Sequence, residues 1–584
     1  MRGAKLFYFL VKANPRRSFL TLLPLVLLAV SLSAQTNDSA IVFEPDVKVP
    51  MRDGVVLTAN VWRPQAERRY PAILVRTPYG KMEEKWDEAR RYVRAGYVVV
   101  VQDCRGRGKS SGVWDPFRYD AQDGFDTQEW VGKQSWCNGE LGTSGGSYGG
   151  WTQWASAANA SKHLKAMVPN VPFDNAYEIS HAGGAFQLAL LMGWGMAVGG
   201  VAPGPEKLQE AYRHLPLETF GDQFEKKISY LNDWVKHANY DEYWERRSRP
   251  GSYADVTVPI LNIGGWYDIF SKTTIDLVNQ VRATSKNQQA RKNQFVVIGP
   301  WTHGVGGRQT GELDFGDVAK FSVSNWQFKW FEHWLKGKKT GVESWPAFHL
   351  FVMGENRWRD EGEWPLKRTR FTEYFLHSGG KANSSKGDGS ITTTAPAEEK
   401  PDEFSYDGDD AVPTVGGNNL VGAAAGPYDQ TKVEERGDVL VYSTPPLEQD
   451  TEVTGPVKMI LFAASSARDT DFTAKLVDVH PDGKSYNLCD GIIRARYRDG
   501  LAKESFLEPG KPAQFEIDLW VTSNLFKAGH RIRVEVSSSN FPRFDRNPNS
   551  GKPFGTDTEL LTARQTIFHD AQHPSRLVLP VIPR

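Results

Sequence analysis

E-L-G-T-S-G-G-S-Y-G-G-W-T-Q-W, residues 140–154, is the stretch on which the reading of this chain turns. Within it, Gly145-Gly146-Ser147-Tyr148-Gly149 forms a G-x-S-x-G run between a strand-like segment and a helix-like one. Small residues flanking a serine let the backbone turn sharply and lift the hydroxyl clear of the strand end. The segment Gly142-Thr143-Ser144-Gly145-Gly146 satisfies the same pattern slightly upstream. Leu141 to Ser144 read as the last strand residues, whereas Tyr148 to Ala160 carries helix formers and no proline. An elbow serine sits after the strand and opens the helix, so Ser147 is the expected nucleophile and Ser144 is not.

Working outward, buried-strand runs appear at Pro71-Ala72-Ile73-Leu74-Val75-Arg76 and at Tyr97-Val98-Val99-Val100-Val101-Gln102, with a charged helix pattern between them. An Asp53-Gly54 turn upstream joins two further strand patterns. Beyond the elbow, Leu164-Lys165-Ala166-Met167-Val168-Pro169 reads as another strand, as do Val258 to Ile263 and Asn293 to Ile298. Strands alternating with helices predict a parallel sheet covered on both faces. The last two strands run into Gly264-Gly265-Trp266-Tyr267-Asp268 and Gly299-Pro300-Trp301-Thr302-His303. Each delivers an ionisable side chain past a strand's C-terminal end, where ligands gather in such sheets. Aromatic, helix-like stretches broken by Gly and Pro fill the interval before Val258 and predict a cap over that edge. From Trp345 the alternation stops and period-two strands such as Lys458 to Ala463 and Arg531 to Val536 predict a β-sandwich or jelly roll. The expected order is an export signal over 1–33, an α/β domain over 34–165 and 256–345 interrupted by a helical cap at 166–255, and an all-β domain over 346–584.

The 584 residues carry 70 basic and 70 acidic side chains. Residues 1–33 hold Arg2, Lys5, Lys12, Arg16 and Arg17 and no acid, so without them the balance is 65 to 70, or −5. That balance predicts no nucleic-acid face. The basic stretch ending at Arg16-Arg17 precedes the apolar run Phe19 to Val30, interrupted by Pro24, with small residues after it. This is the pattern of an export signal, so the expectation is a periplasmic or extracellular protein with no stable membrane association after processing. A retained N-terminal anchor is the rival reading. The three cysteines, Cys104, Cys137 and Cys489, have no metal-site spacing. A Cys104–Cys137 bridge and buried free thiols both remain open.

Serine becomes a nucleophile only when a base takes its proton and a third group orients that base. The chain order Ser147, Asp268, His303 supplies nucleophile, acid and base, each directly after an expected strand. The backbone N–H of Tyr148 follows the nucleophile and is one expected oxyanion donor; the phenol of Tyr79, in the loop after Val75, is a second. Trp151, Trp154 and Trp266 are candidates for an acyl pocket or for core packing.

The motifs R-T-P-Y-G-K (76–81), Q-D-C-R-G-R-G-K-S-S-G (102–112), G-G-S-Y-G-G-W-T-Q-W (145–154), G-G-W-Y-D-I-F (264–270), G-P-W-T-H-G (299–304) and F-V-M-G-E-N-R-W-R-D (351–360) resemble those of the CocE/NonD hydrolases. The resemblance spans nearly all of the chain after residue 33. It implies an α/β-hydrolase domain with a helical cap and a C-terminal jelly roll, with Ser147, Asp268, His303 and Tyr79 in the roles given above and no cofactor or metal. The α-amino-acid ester hydrolases of that family carry carboxylates just after the catalytic acid; here Ile269-Phe270-Ser271 stand there. The expected function is cleavage of a small-molecule carboxylic ester, or an amide, through an acyl-enzyme. The alternatives are removal of X-Pro dipeptides by the same triad, with Asp174 or Glu178 as candidate ammonium anchors, and a non-catalytic jelly-roll binding protein. Acyl group, leaving group and homo-oligomerisation stay open.

Overall fold

The computed structural model describes residues 41–248 and 251–583. The expected export signal lies outside the described residues. No helix among those described is long and apolar enough to cross a membrane.

The first half builds a mixed sheet of ten strands. They include β1 (Ile41–Pro50), β2 (Val56–Pro64), β3 (Tyr70–Thr77), β4 (Val98–Asp103), β5 (Cys137–Gly146) and β6 (Leu164–Asn170). A two-residue hairpin in the cap, β7 (His181–Ala182) and β8 (Ala185–Phe186), stands apart from this sheet. The sheet resumes with β9 (Ile260–Gly265) and β10 (Gln294–Gly299). Past a second short hairpin, β11 (Gln309–Thr310) with β12 (Leu313–Asp314), it ends with β13 (Phe348–Val352) and β14 (Arg357–Glu361). Spatial order is β1-β2-β4-β3-β5-β6-β9-β10-β13-β14, parallel from β4 to β13 and antiparallel at both edges. Central strands β4, β9 and β10 are buried along their whole length, as a sheet covered on both faces requires. On one face α2 (Asp120–Gly132), α3 (Tyr148–Ala157) and α9 (Ser271–Thr284) contribute Val131, Trp154, Ala157, Leu277 and Val281 to a core with Leu74, Val100 and Ile260. On the other, α1 (Asp87–Arg94) and α11 (Val323–Trp334) bring Tyr92, Val93, Trp330 and Phe331 against Ile73, Val99 and Ile263.

Between β6 and β9 the chain leaves the sheet and forms the cap. Its main helices are α5 (Leu188–Val198), α6 (Pro205–Tyr212) and α7 (Ser229–Lys236). Their apolar faces share a cluster with Tyr148, Trp151 and Phe270, so the cap is packed onto the C-terminal edge of the sheet.

After Glu361 the chain is all-β, with eleven strands in one hydrogen-bonded network. The long strand Thr451–Ser465 pairs with Ala513–Phe526, Ala563–Phe568 and Arg576–Ile582. The expected junction at 345/346 moves. Phe348 to Leu350 pair in parallel with Val296 to Ile298, so two strands assigned to the β domain extend the first sheet instead. The cause is that β13 reads as an ordinary short apolar strand, and its direction of pairing is set by a partner some fifty residues upstream rather than by its own pattern. Likewise the cap begins only after Asn170, because Leu164–Asn170 pairs with β5 and β9. All three cysteines are buried free thiols, which settles the pairing of Cys104 and Cys137.

Candidate active site

Ser147 stands between β5 and α3 with φ 58° and ψ −121°, a left-handed backbone that non-glycine residues adopt at a cost of about 1–3 kcal/mol. The strain persists because the surroundings over-determine the turn. Ser147 N–H donates to the Asn170 carbonyl at 3.0 Å, and its own carbonyl accepts from Gly150 at 2.7 Å and Trp151 at 3.0 Å. A Cβ on Gly150 would stand 3.0 Å from both the Asn170 oxygen and Pro172 Cα, so a larger residue there would press α3 against the backbone after β6. Ser144 lies inside β5 and is buried, in line with the register chosen from the sequence.

Asp268 follows β9 and is fully buried. One carboxylate oxygen accepts from the Phe270 amide at 2.9 Å; the other meets His303 Nδ1 at 2.5 Å. His303 follows β10 and is partly buried. Its remaining nitrogen, Nε2, is buried with no hydrogen-bond partner among the described residues. An imidazole anchored through Nδ1 to a carboxylate keeps Nε2 as its available proton acceptor. Contacts of this kind commonly tighten only when substrate enters. Phe270 packs its ring edge-on against His303, with centroids 5.6 Å apart, and fixes the ring plane.

Tyr79 extends from the loop after β3. About half of its surface is open to solvent. Trp194 Nε1, from α5 of the cap, donates to the Tyr79 oxygen at 3.2 Å. Desolvation pushes the phenol above its ordinary pKa, partly offset by hydrogen bonding with Trp194, the Ser147 hydroxyl and the Tyr148 backbone N–H. The phenol therefore stays protonated at neutral pH and can donate. Tyr79 and the Tyr148 amide thus converge beside the Ser147 hydroxyl. The side chain of Tyr148 points away, its hydroxyl donating to Asp120 at 2.6 Å and accepting from the Phe117 amide at 2.8 Å.

The sequence left the basic motif at 102–112 without a task. In the structure it clamps the Tyr79 loop. Asp103 binds the Lys81 amide at 2.7 Å and its ammonium at 2.9 Å; a Cβ on Gly108 would strike the Asp103 carboxylate at 2.1 Å. Arg107 donates to the Pro78 carbonyl at 2.8 Å and to the Val198 carbonyl at the end of α5. Asn418, from the β domain, donates to the carbonyls of Asp268 at 2.7 Å and Trp266 at 3.0 Å. Arg107 stood in a quoted motif whose task the sequence did not reveal, and Trp194 and Asn418 were missed because neither sits in a pattern that marks chemistry.

The tryptophan candidates divide. Trp154 lies under the sheet among Val131 and Leu277, and Trp266 stacks on Trp364 at 5.9 Å in the core shared with the β domain, so both are core residues. Trp151 is buried beneath the cap, where it stacks on Phe173 at 5.4 Å and donates to Asp120 at 2.9 Å. Above it Trp194 stacks against Phe117 and Tyr148 at 5.7 and 5.9 Å. Asp174 is held by the Tyr253 hydroxyl at 2.7 Å. Glu178 borders a cavity of about 280 Å³ that Phe270 also lines.

Comparison with known proteins places this arrangement. Residues 53–305 match the model of X-Pro dipeptidyl-peptidase (S15 family), and residues 340–578 match that of the X-Pro dipeptidyl-peptidase C-terminal non-catalytic domain. The cocaine esterase of Rhodococcus sp. (strain MB1 Bresler) is 37% identical over 574 residues, covering 92% of this chain and 98% of that protein. Among solved structures, an aminopeptidase from the marine sediment archaeon Thaumarchaeota archaeon superposes with TM-score 0.80 at 25% identity, covering 95% of this chain and 99% of its own. An α-amino acid ester hydrolase superposes with TM-score 0.78 at 24% identity, covering 96% and 98%. The chain belongs to the CocE/NonD family of X-Pro dipeptidyl-peptidase-like serine hydrolases.

Proposed function

We propose that this protein is an exported esterase that cleaves small carboxylic esters through an acyl-enzyme on Ser147. The observation that carries the reading is the convergence of a strained serine elbow, a carboxylate-anchored imidazole with an unpartnered Nε2, and a phenol kept protonated beside the serine hydroxyl. Ser147 Oγ attacks the carbonyl carbon as its proton passes to His303 Nε2, and the Asp268 carboxylate stabilises the imidazolium. The oxyanion receives hydrogen bonds from the Tyr79 hydroxyl and the Tyr148 amide. Collapse breaks the bond to the alcohol, which leaves with the proton from His303. Water then repeats the sequence on the acyl-Ser147 ester and frees the acid.

Ester rather than dipeptide cleavage is supported by the near full-length relationship to a protein named cocaine esterase and by Ile269-Phe270-Ser271, which offer no carboxylate beside the acid. The second reading, X-Pro dipeptide release, draws on Glu178, which lines the same cavity as Phe270 and would offer a carboxylate to a free N-terminus there. Side-by-side turnover of p-nitrophenyl butyrate and Gly-Pro-p-nitroanilide separates the two. Fast ester and negligible anilide cleavage is expected, with Ser147→Ala lowering kcat by about 10⁴-fold or more. Efficient anilide cleavage abolished by Glu178→Gln establishes the second reading. Export rests on residues 1–33, and N-terminal sequencing of protein from the periplasmic or extracellular fraction checks it. An intact N-terminus in the membrane fraction overturns it.

A further inference from the structure

Far from the triad, at one end of the β domain, a carboxylate and two imidazoles share a small polar chamber. Asp478 lies near the end of the strand Asp471–Val479, and His480 opens the turn that follows it. His530 immediately precedes Arg531–Ser537, the strand paired with Asp471–Val479 through Asp478↔Ile532 and Val479↔Arg531. Backbone hydrogen bonds hold both histidines. His480 N–H donates to the Lys484 carbonyl at 2.8 Å, and His530 N–H donates to the Lys527 carbonyl at 3.0 Å. The three side chains are therefore positioned by sheet register and tight turns rather than by a mobile loop.

His530 Nδ1 lies 2.8 Å from one Asp478 oxygen, and His480 Nε2 lies 3.9 Å from the other. The imidazole centroids are 4.4 Å apart. One ligating atom from each residue lies within 4.8 Å of those of the other two. Four tetrahedral ligands around zinc at about 2.0–2.2 Å stand roughly 3.3–3.5 Å from one another, so small side-chain adjustments close the set around one ion. Asn524 Nδ2 donates to Asp478 Oδ2 at 3.2 Å, an outer contact of the sort that fixes a ligating carboxylate. The group opens onto a cavity of about 150 Å³, large enough to hold water. Asn356, in left-handed backbone conformation with φ 56°, lines the same cavity, and its Oδ1 is buried without a partner among the described residues.

We propose that Asp478, His480 and His530 form a zinc-binding site, with a water from the cavity as the fourth ligand and Asn356 Oδ1 as its acceptor. Two nitrogens and one carboxylate suit zinc among divalent ions, whereas calcium and magnesium take oxygen ligands. The cation Lys527 also borders the cavity, but it is exposed and free to turn its ammonium to solvent. The same cavity reaches Tyr267, the neighbour of Asp268, so the ion would brace the β domain beneath the acid loop without touching substrate. The plainer account is an Asp478–His530 pair that fastens two strands and binds nothing.

The test uses the full chain without a histidine tag, stripped by chelator. Zn²⁺ titrated by calorimetry is expected to bind at one ion per chain, and Co²⁺ to give the visible absorption of a tetrahedral site. His480→Ala and His530→Ala are each expected to weaken binding more than about 100-fold, and Asn524→Ala about 10–100-fold, as an outer-contact change does. Zinc should raise the Tm of the wild type and not of the histidine variants, while turnover of p-nitrophenyl butyrate in chelator confirms that each variant is folded. His480→Ala, at a partly exposed turn, keeps the test alive if His530→Ala fails to fold. No saturable zinc binding, or binding that survives both histidine changes, overturns the proposal. So does a lower Tm for His530→Ala in chelator with no zinc effect on any form.

Discussion

At Tyr79 a single oxygen sits among the Trp194 indole, the Tyr148 amide and the Ser147 hydroxyl. Burial works against a phenolate there, so the group remains a donor, and the indole N–H behind it polarises the O–H toward whatever charge develops at the serine. Removing one oxyanion donor costs about 2.7–4 kcal/mol, so Tyr79→Phe is expected to lower kcat on p-nitrophenyl butyrate by about 10²–10³-fold with KM little changed. Trp194→Phe keeps the stack with Phe117 and Tyr148 and removes only a neutral hydrogen bond, worth about 0.5–1.5 kcal/mol, or roughly 2–10-fold in kcat. Equal losses in the two variants would mean that the phenol acts in its proposed role only when the indole holds it. Tyr79 was legible because a tyrosine in the loop after a buried strand matched a motif. Trp194 was not: it lies 115 residues away, and nothing local distinguishes a tryptophan that packs from one that also donates.

The elements that carry the site are strand ends, and that is why so much of it could be read in advance. Asp268 and His303 each follow a strand with a plain apolar run, Ser147 follows a Gly-rich strand that its G-x-S-x-G turn gives away, and parallel sheets put those ends on one edge. What holds the loops after the strands was illegible, because the supports come from other elements. Arg107 ties the Tyr79 loop to α5, and Asn418 reaches the acid loop from 150 residues away. Asn418 is buried, and its amide is the donor to both the Trp266 and Asp268 carbonyls. Asn418→Ala would leave those carbonyls without that donor, at about 1–3 kcal/mol. Because the displaced group is Asp268, the proposed acid, rather than a proposed substrate contact, kcat is expected to fall with KM nearly unchanged. A lower Tm with unaltered kcat would reduce Asn418 to a structural fastener.

At the scale of the molecule the β domain is continuous with the hydrolase sheet. Trp266, Tyr267, Ile275, Val296 and Phe348 share one apolar cluster with Val453, Leu461, Leu476 and Phe526. Stability of the β domain is therefore felt at the Asp268 loop, and one buried polar hub of that domain is Asp402. This buried carboxylate accepts from Ser378 and Tyr442 at 2.7 Å and from the Ala382 amide at 2.8 Å, and it pairs with His569 Nε2 at 3.0 Å; His569 Nδ1 meets Glu399 at 3.0 Å. Burial opposes charge on both partners, but their mutual hydrogen bond and the surrounding donors and acceptors outweigh it. Asp402 is held below its ordinary 3.8, and His569 is raised above its ordinary 6.5. A depressed carboxyl stabilises the fold above its unfolded pKa and loses that contribution as pH falls through the folded value. A raised imidazole stabilises the fold below its unfolded pKa and loses that contribution as pH rises through the folded value. The pair therefore contributes most between 3.8 and 6.5. Breaking a buried pair by removing one member costs about 3–5 kcal/mol, so His569→Gln is expected to lower Tm most in that window. Thermal melts of wild type and His569→Gln across pH check this: the Tm gap near pH 6 should exceed the gap near pH 9, because the wild type alone gives up a protonated imidazole in between. A gap that is constant with pH would show that His569 stays neutral and that the hub is held by hydrogen bonds alone.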